Sequence, residues 1–361
     1  MKLAIVHDYL NQFGGAERVV IALHEAFPEA PIFTSIYDRD RMPSEFRAMD
    51  IKTSFMQHLP GVMKKYKAYL PLYPLAFSKM DLRGFDVILS SSSAFAKGVK
   101  KDRDALHVCY CYNPMRFVWR YDDYIKEEPL PQALKIILRW YLRRLKMWDV
   151  RTSASVDYFI SISMAVARRI LECWGRDSTV IYPPVEAKKF NISGSVEDYY
   201  LIVSRLKPYK RIEMAVEAFN QMGKPLKIIG GGDFEKKLKS LAGDSIEFLG
   251  RVDDEELARY YSRCRALIFP GEEDFGIVPV EAMASGRPVI AYGRAGALET
   301  VLDGKTGIFF NEPKPDSIAE AVKKFEAMDF DPNFIRQHAL SFDKELFKAR
   351  IKEFIYEKYR K

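Results

Sequence analysis

Histidine and cysteine are scarce in this chain of 361 residues, with five of the first and four of the second. Cys109, Cys111, Cys173 and Cys264 are too few and too scattered for a disulfide framework. Only Cys109 and Cys111 lie close together, on one face of a strand-like run. No second pair supplies the remaining ligands of a zinc site, so buried free thiols are expected. Long apolar runs are missing too, and none approaches the ~20 residues of a membrane span. Met1-Lys2 leads directly into the strand-like Leu3-Ala4-Ile5-Val6, so no cleavable leader is expected; the protein reads as cytoplasmic, at most peripheral to a membrane. Short-period solenoid repeats are also lacking.

What is present is an ordinary globular composition, 48% hydrophobic and 29% charged, in a chain long enough for two α/β domains. The net charge of +7 and pI near 9.0 are compatible with nucleic acid, an anionic membrane surface or a polyanionic small molecule. Charge alone does not choose. The cations stand at strand ends and on two helical stretches rather than in a nucleic-acid motif, so no nucleic acid is expected as a partner.

Strands and helices alternate along the whole sequence. Lys2–His7 reads as a strand, and Phe13-Gly14-Gly15-Ala16-Glu17-Arg18 opens a helix to about Phe27. Ile32–Ile36, Phe85–Ser90, Leu106–Tyr112, Asp157–Ser161 and Thr179–Tyr182 read as further strands. Pro131–Arg151 has a helical period, with Leu134, Ile137, Leu138, Tyr141, Leu145 and Trp148 on one face and Lys135, Arg139, Arg143 and Lys146 on a basic stripe that could lie on anionic lipid or stand in water; the breadth of the apolar face favours packing into the first domain. Met164–Trp174 reads as a helix, and Pro183-Pro184 as a hinge. Beyond it come strands at Tyr199–Val203, Leu226–Ile229, Ile246–Leu249, Ala266–Phe269, Pro288–Ala291 and, as an edge, Gly307–Phe310. Helices are expected up to Met222, at Asp254–Ser262, from Pro279, within Gly293–Leu302, and at Asp316–Met328, Pro332–Leu340 and Lys344–Lys358. This alternation predicts two Rossmann-like domains with parallel sheets. His58–Leu82 mixes Lys64, Lys65, Lys67 and Lys79 with Tyr66, Tyr69, Tyr73 and Phe77, which suits either an anionic lipid surface or a solvated face with its aromatics tucked inward.

The richest stretch is Ile268–Glu281, where a strand turns into a helix through Pro270–Val278. Its turn, Phe275-Gly276-Ile277-Val278, offers free backbone N–H groups beyond the carboxyl end of a parallel strand. Glu273 and Glu281 flank the turn, and ionised carboxylates accept well from paired sugar hydroxyls: one could hold a hexose, the other a ribose. Spacing alone fits equally a solvated loop acid and a surface helix residue. Likewise Arg205 and Lys210, at a strand end and a helix start, could neutralise a diphosphate or be ordinary surface cations. Gly14-Gly15 could approach a phosphate or simply make a tight turn.

The Glu-x7-Glu element, continuing Glu281-Ala-Met-Ala-Ser-Gly-Arg-Pro-Val-Ile-Ala291, resembles the signature of retaining glycosyltransferase family 4, the GT-B enzymes, and most closely the bacterial and archaeal mannosyltransferases of surface polysaccharide synthesis. The resemblance implies an acceptor domain at 1–183 joined by the last helix, 343–361, which crosses back to it, and a nucleotide-sugar domain at 184–342, with the two sheets facing across a cleft. It assigns catalytic roles to Glu273, Arg205 and Lys210. Donor contacts are implied for Gly14 and Gly15 on the diphosphate, for Arg251 and Val252 beside the base, for Phe275, Gly276, Ile277 and Val278 on the phosphates, and for Glu281 on the ribose. Tyr112 stands where relatives often carry a sugar-contacting histidine; its hydroxyl can bond a sugar, but it is no acid or base near neutral pH. His107 sits at the wrong end of its strand to replace it.

No metal and no further cofactor is implied. The donor expected first is GDP-mannose, with UDP-hexoses second; the acceptor is a glycan, lipid-linked or of lipopolysaccharide type, with peripheral contact at an anionic membrane. The competing readings are a UDP-sugar transferase, a nucleotide-sugar epimerase of the same architecture, and a catalytically silent scaffold.

Overall fold

The computed structural model describes residues 1–120 and 132–360. The chain forms two compact units, Met1–Tyr182 with Phe347–Lys361, and Pro183–Leu346.

In the first unit seven strands, β1 (Leu3–His7), β2 (Ile32–Thr34), β3 (Ile51–Thr53), β4 (Val87–Ser92), β5 (Leu106–Cys111), β6 (Tyr158–Ser161) and β7 (Ser178–Val180), form one parallel sheet in the order β3-β2-β1-β4-β5-β6-β7. Central β1 is buried on both faces, which is why Leu-Ala-Ile-Val reads as a continuous apolar run rather than an alternating one. β4 continues through Ser92, and its serines are buried. β3, Ile-Lys-Thr, was not foreseen: three residues at a half-exposed edge carry too little pattern to register.

The long helix runs Gln132–Ser153. Pro131, its expected first residue, lies outside the described residues, as does the side chain of Leu134. Leu142, Leu145 and Asp149 are buried, while Ile137, expected inside, is 62% exposed. A polar clamp sets the rotation. Asp149 takes the ammonium of buried Lys97 and the indole N–H of Trp119 and of Trp174, each at 2.8 Å. Turning the helix toward Ile137 would break a buried ion pair, which is far more costly than exposing one apolar side chain. In the His58–Leu82 stretch, Tyr66, Tyr69, Tyr73 and Phe77 pack into the core and the four lysines are exposed.

The last helix, Lys344–Tyr359, lays Phe347 edge-on against Tyr110 and Phe354 against Tyr158, and Lys348 reaches Glu25 at 3.0 Å. The C-terminus thus returns to the first unit, as expected.

The second unit holds six parallel strands, β8 (Tyr200–Val203), β9 (Leu226–Ile229), β10 (Ile246–Gly250), β11 (Leu267–Phe269), β12 (Val289–Tyr292) and β13 (Gly307–Phe310), ordered β10-β9-β8-β11-β12-β13. Its core gathers Ile202, Phe219, Ile228, Ile268, Ile290 and Phe325. Among the described residues no helix is long and apolar enough to cross a membrane.

Candidate functional site

In the second unit β8 and β11 are neighbours, although the chain between them builds β9 and β10 on the other side. Strand order reverses there, and loops leaving such a pair diverge to open a crevice at the carboxyl ends. Arg205 and Lys210 follow β8, and Glu273 follows β11. Lys210 Nζ donates to Glu273 Oε1, so the two side chains, 12% and 27% exposed, neutralise each other across the switch point. With Ser204, Phe269, Pro270 and Gly271 they line one small recess. Arg205 is exposed, and among the described residues it makes no ion pair.

The helix Ile277–Ala284 begins beside them. Its cap, Gly276, has φ 91°, a left-handed value open to glycine, and no side chain caps the first turn. Phe275 is buried edge-on against Phe342 at 5.7 Å. Beneath this turn Gly296 N donates to Glu273 O at 2.9 Å, and a Cβ on Gly296 would stand 2.3 Å from Phe275 O. The acidic turn is therefore held by a close backbone approach that only glycine permits. Glu281, one turn further on, is 6% exposed and accepts from Tyr261 Oη at 2.9 Å, which removes the surface-residue reading. Arg251 and Val252 follow β10, the arginine exposed and the valine half-buried.

In the first unit the corresponding reversal lies between β1 and β4. Gly14 caps the helix Gly15–Ala26, in whose first turn Glu17 is buried. His7 joins them: Nδ1 bonds Ser91 O at 3.1 Å and Ser91 Oγ at 3.0 Å, while Nε2 faces Glu17 Oε1 at 3.7 Å. Ser91 Oγ meets Tyr112 Oη at 2.7 Å, and that hydroxyl donates to Ala16 O at 3.0 Å. The Tyr112 hydroxyl is thus engaged within the fold, and burial pushes its phenol well above the ordinary range. Asp8 is spent as well. Its carboxylate accepts the backbone N–H groups of Ser93, Ala94, Phe95 and Ala96 at 2.7–3.0 Å, filling a nest that would otherwise suit an external anion. His107 is fully buried on Ser90 Oγ at 2.9 Å, and burial lowers its imidazole to about 3, so it is a neutral interior histidine.

Sequence reasoning missed His7, Glu17, Tyr261 and Arg211. The last has φ 55°, unusual for a non-glycine residue, and holds its guanidinium 5.1 Å from the centre of the Tyr292 ring at the end of β12. No local pattern marks it. His7 and Glu17 did flank the glycine turn, and that position was the available signal.

The profile described as "Glycosyltransferase Family 4" matches residues 13–189, and that described as "Glycosyl transferases group 1" matches residues 186–340. The human alpha-1,3/1,6-mannosyltransferase ALG2 is 25% identical, over 94% of this chain and 89% of its own. A GDP-mannose-dependent alpha-(1-6)-phosphatidylinositol monomannoside mannosyltransferase of Mycolicibacterium smegmatis is 33% identical, over 33% of this chain and 36% of its own. The chain spans about half the length of the first curated relatives it matches, 48% and 57%. Among solved structures, a sucrose-phosphate synthase of Thermosynechococcus elongatus superposes with a TM-score of 0.76 at 20% identity, over the full length of both chains. With the two family models together running from residue 13 to residue 340 on two parallel α/β sheets, the chain belongs to glycosyltransferase family 4 and has the GT-B fold.

Proposed function

We propose that this glycosyltransferase is a retaining hexosyltransferase that moves mannose from GDP-mannose to a hydroxyl of a lipid-linked or lipopolysaccharide-type glycan, acting in the cytoplasm at the inner face of the membrane. The mannosyl specificity of the relatives named above supports this reading, and UDP-hexoses are the second choice of donor. The observation that carries it is the Lys210–Glu273 pair at the switch point, beside a helix N-terminus without a side-chain cap. When a donor enters, its diphosphate takes the Lys210 ammonium, with Arg205 and the N–H groups of Ile277 and Val278 completing the anion site. Glu273 is then released to accept from hexose hydroxyls, and Glu281, held by Tyr261, accepts from the ribose. Gly250-Arg251-Val252 borders the base.

The bond between the anomeric carbon and the phosphate oxygen breaks, and the diphosphate leaves with the electron pair. The acceptor oxygen bonds to the same face of the sugar, and its proton passes to the departing phosphate oxygen. Arg205 and Lys210 stabilise the charge that grows on the diphosphate, the work a divalent cation does in other transferases. No metal is required, so chelation with EDTA leaves turnover unchanged.

A thermal-shift screen against GDP, UDP, ADP and dTDP, each free and as its sugar, tests the donor, because a ligand of the folded state raises the midpoint with concentration. GDP-mannose is expected to give the largest rise. Proton NMR of the product tests retention through the anomeric coupling.

A further inference from the structure

The outer side of the Gln132–Ser153 helix does not have the make-up of an ordinary solvated face. At about 100° per residue, Ile136, Trp140, Arg143, Met147 and Val150 fall on one stripe. The four apolar members are 67%, 55%, 60% and 41% exposed, on the side away from buried Leu142, Leu145 and Asp149. Arg143, Arg144, Lys146 and Arg151 lie in or beside the stripe and are all exposed; among the described residues none of the four makes an ion pair. Arg144 and Lys146 instead lie 3.9 Å from the ring centres of Trp140 and Trp119. The one acid of the helix, Asp149, is buried on Lys97. Tyr141 Oη donates to Leu70 O at 3.2 Å, which sets the stretch bearing Lys64, Lys65 and Lys67 alongside. That stretch has no Asp or Glu from Ile51 to Met80.

In a chain with 49 acidic residues, the described helix thus carries no exposed carboxylate while leaving apolar side chains in water. Nucleic acid would use the cations but leave Ile136, Met147 and Val150 wet. An anionic bilayer uses both, because apolar side chains enter the headgroup boundary and the stems of Arg and Lys lie along them with their charges on lipid phosphates. We infer that this helix lies in the plane of an anionic lipid surface, with Ile136, Trp140, Met147 and Val150 inserted and Arg143, Arg144, Lys146 and Arg151 bound to headgroups. The inference takes its purpose from the proposed lipid-linked acceptor but not its geometry.

The test is co-sedimentation of the full chain with vesicles of phosphatidylglycerol and phosphatidylcholine, and with phosphatidylcholine alone. Binding is expected to the mixed vesicles only, weakening as salt shortens the screening length. Met147→Glu with Trp140→Glu, and separately Arg143→Glu with Arg144→Glu, are expected to reduce partitioning at least tenfold. Lys323→Glu with Lys324→Glu makes the same charge change on the second unit and is expected to leave partitioning within twofold. All variants should keep the wild-type thermal midpoint and its rise with GDP-mannose. Equal binding by wild type and helix variants, equal loss in the control, or a self-association in ultracentrifugation that Met147→Glu abolishes would overturn the inference. Loss of vesicle binding with the donor response intact confirms the face. A missing donor response in the wild type counts against the transferase reading alone.

Discussion

Lys210 and Glu273 neutralise each other across the ends of β8 and β11, though 63 residues separate them in the chain. On the proposed reading the pair accounts for how a carboxylate can stand beside a diphosphate: before a donor arrives, its charge is already matched. Removing either member has unequal effects. Glu273→Ala should lower turnover by at least about 10³ while the thermal midpoint stays near wild type, since it removes the sugar acceptor and frees the lysine. Lys210→Ala should cost about 10²–10³ in kcat and weaken donor binding as well, the scale seen when one charge-stabilising donor is lost. Steady-state kinetics with varied donor checks both.

In the proposed site Tyr261 acts through Glu281. Its ring is fully buried edge-on against Phe190 at 5.6 Å, and its hydroxyl donates to the carboxylate. Tyr261→Phe keeps the ring and removes the donor, so the expected outcome is a donor KM raised about tenfold with kcat within about twofold. With a 2′-deoxyribose donor the variant and wild type should converge. A stability loss with no change in KM would make Tyr261 merely structural.

Asp8 caps four consecutive backbone N–H groups while 2% exposed. Asp8→Ala leaves these donors without their acceptor, and urea denaturation should register a loss of about 3 kcal/mol or more. Asp8→Asn keeps one acceptor oxygen and should lose less.

His107 gives a pH signature. Its folded value of about 3 lies below the ordinary 6.5, so the unfolded chain takes up a proton that the fold refuses. The stability it protects is complete above pH 6.5 and falls by about 1.4 kcal/mol per unit as pH drops from 6.5 toward 3. Between pH 6 and 4, His107→Gln should show a slope shallower by about one proton in denaturant titrations at stepped pH.

Much of this was legible in the residues. Buried parallel strands announce themselves as apolar runs, and β1, β5 and β8 stood within a residue or two of their expected bounds. Ile277–Ala284 was marked by Pro279, whereas Glu273, Glu281, Arg205 and Lys210 stood out only through the family resemblance, because their spacing alone fitted surface residues as well. The pairing of Lys210 with Glu273 was not legible, because strand order, not spacing, decides which loops meet. The Gln132–Ser153 helix exposed another limit. Apolar residues encircle it, so periodicity could not choose between Ile137 and Leu142 for the inner face; buried Asp149 and Lys97 chose. Tyr112 had the right address for a sugar contact, but nothing in the sequence showed that Ser91 and Ala16 would already hold its hydroxyl. Arg211 took a left-handed backbone with no local signal.

The central claim is that a nucleoside-diphosphate sugar sits on Lys210 and Glu273. Isothermal titration of GDP-mannose into the wild type, Lys210→Ala and Glu273→Ala, with UDP-glucose in parallel, tests it most directly. Saturable one-to-one binding to the wild type, weakened at least tenfold in Lys210→Ala and lost for the sugar increment over GDP in Glu273→Ala, is the predicted result. Equal affinity in all three proteins, or no binding of either nucleotide sugar to the wild type, would contradict it.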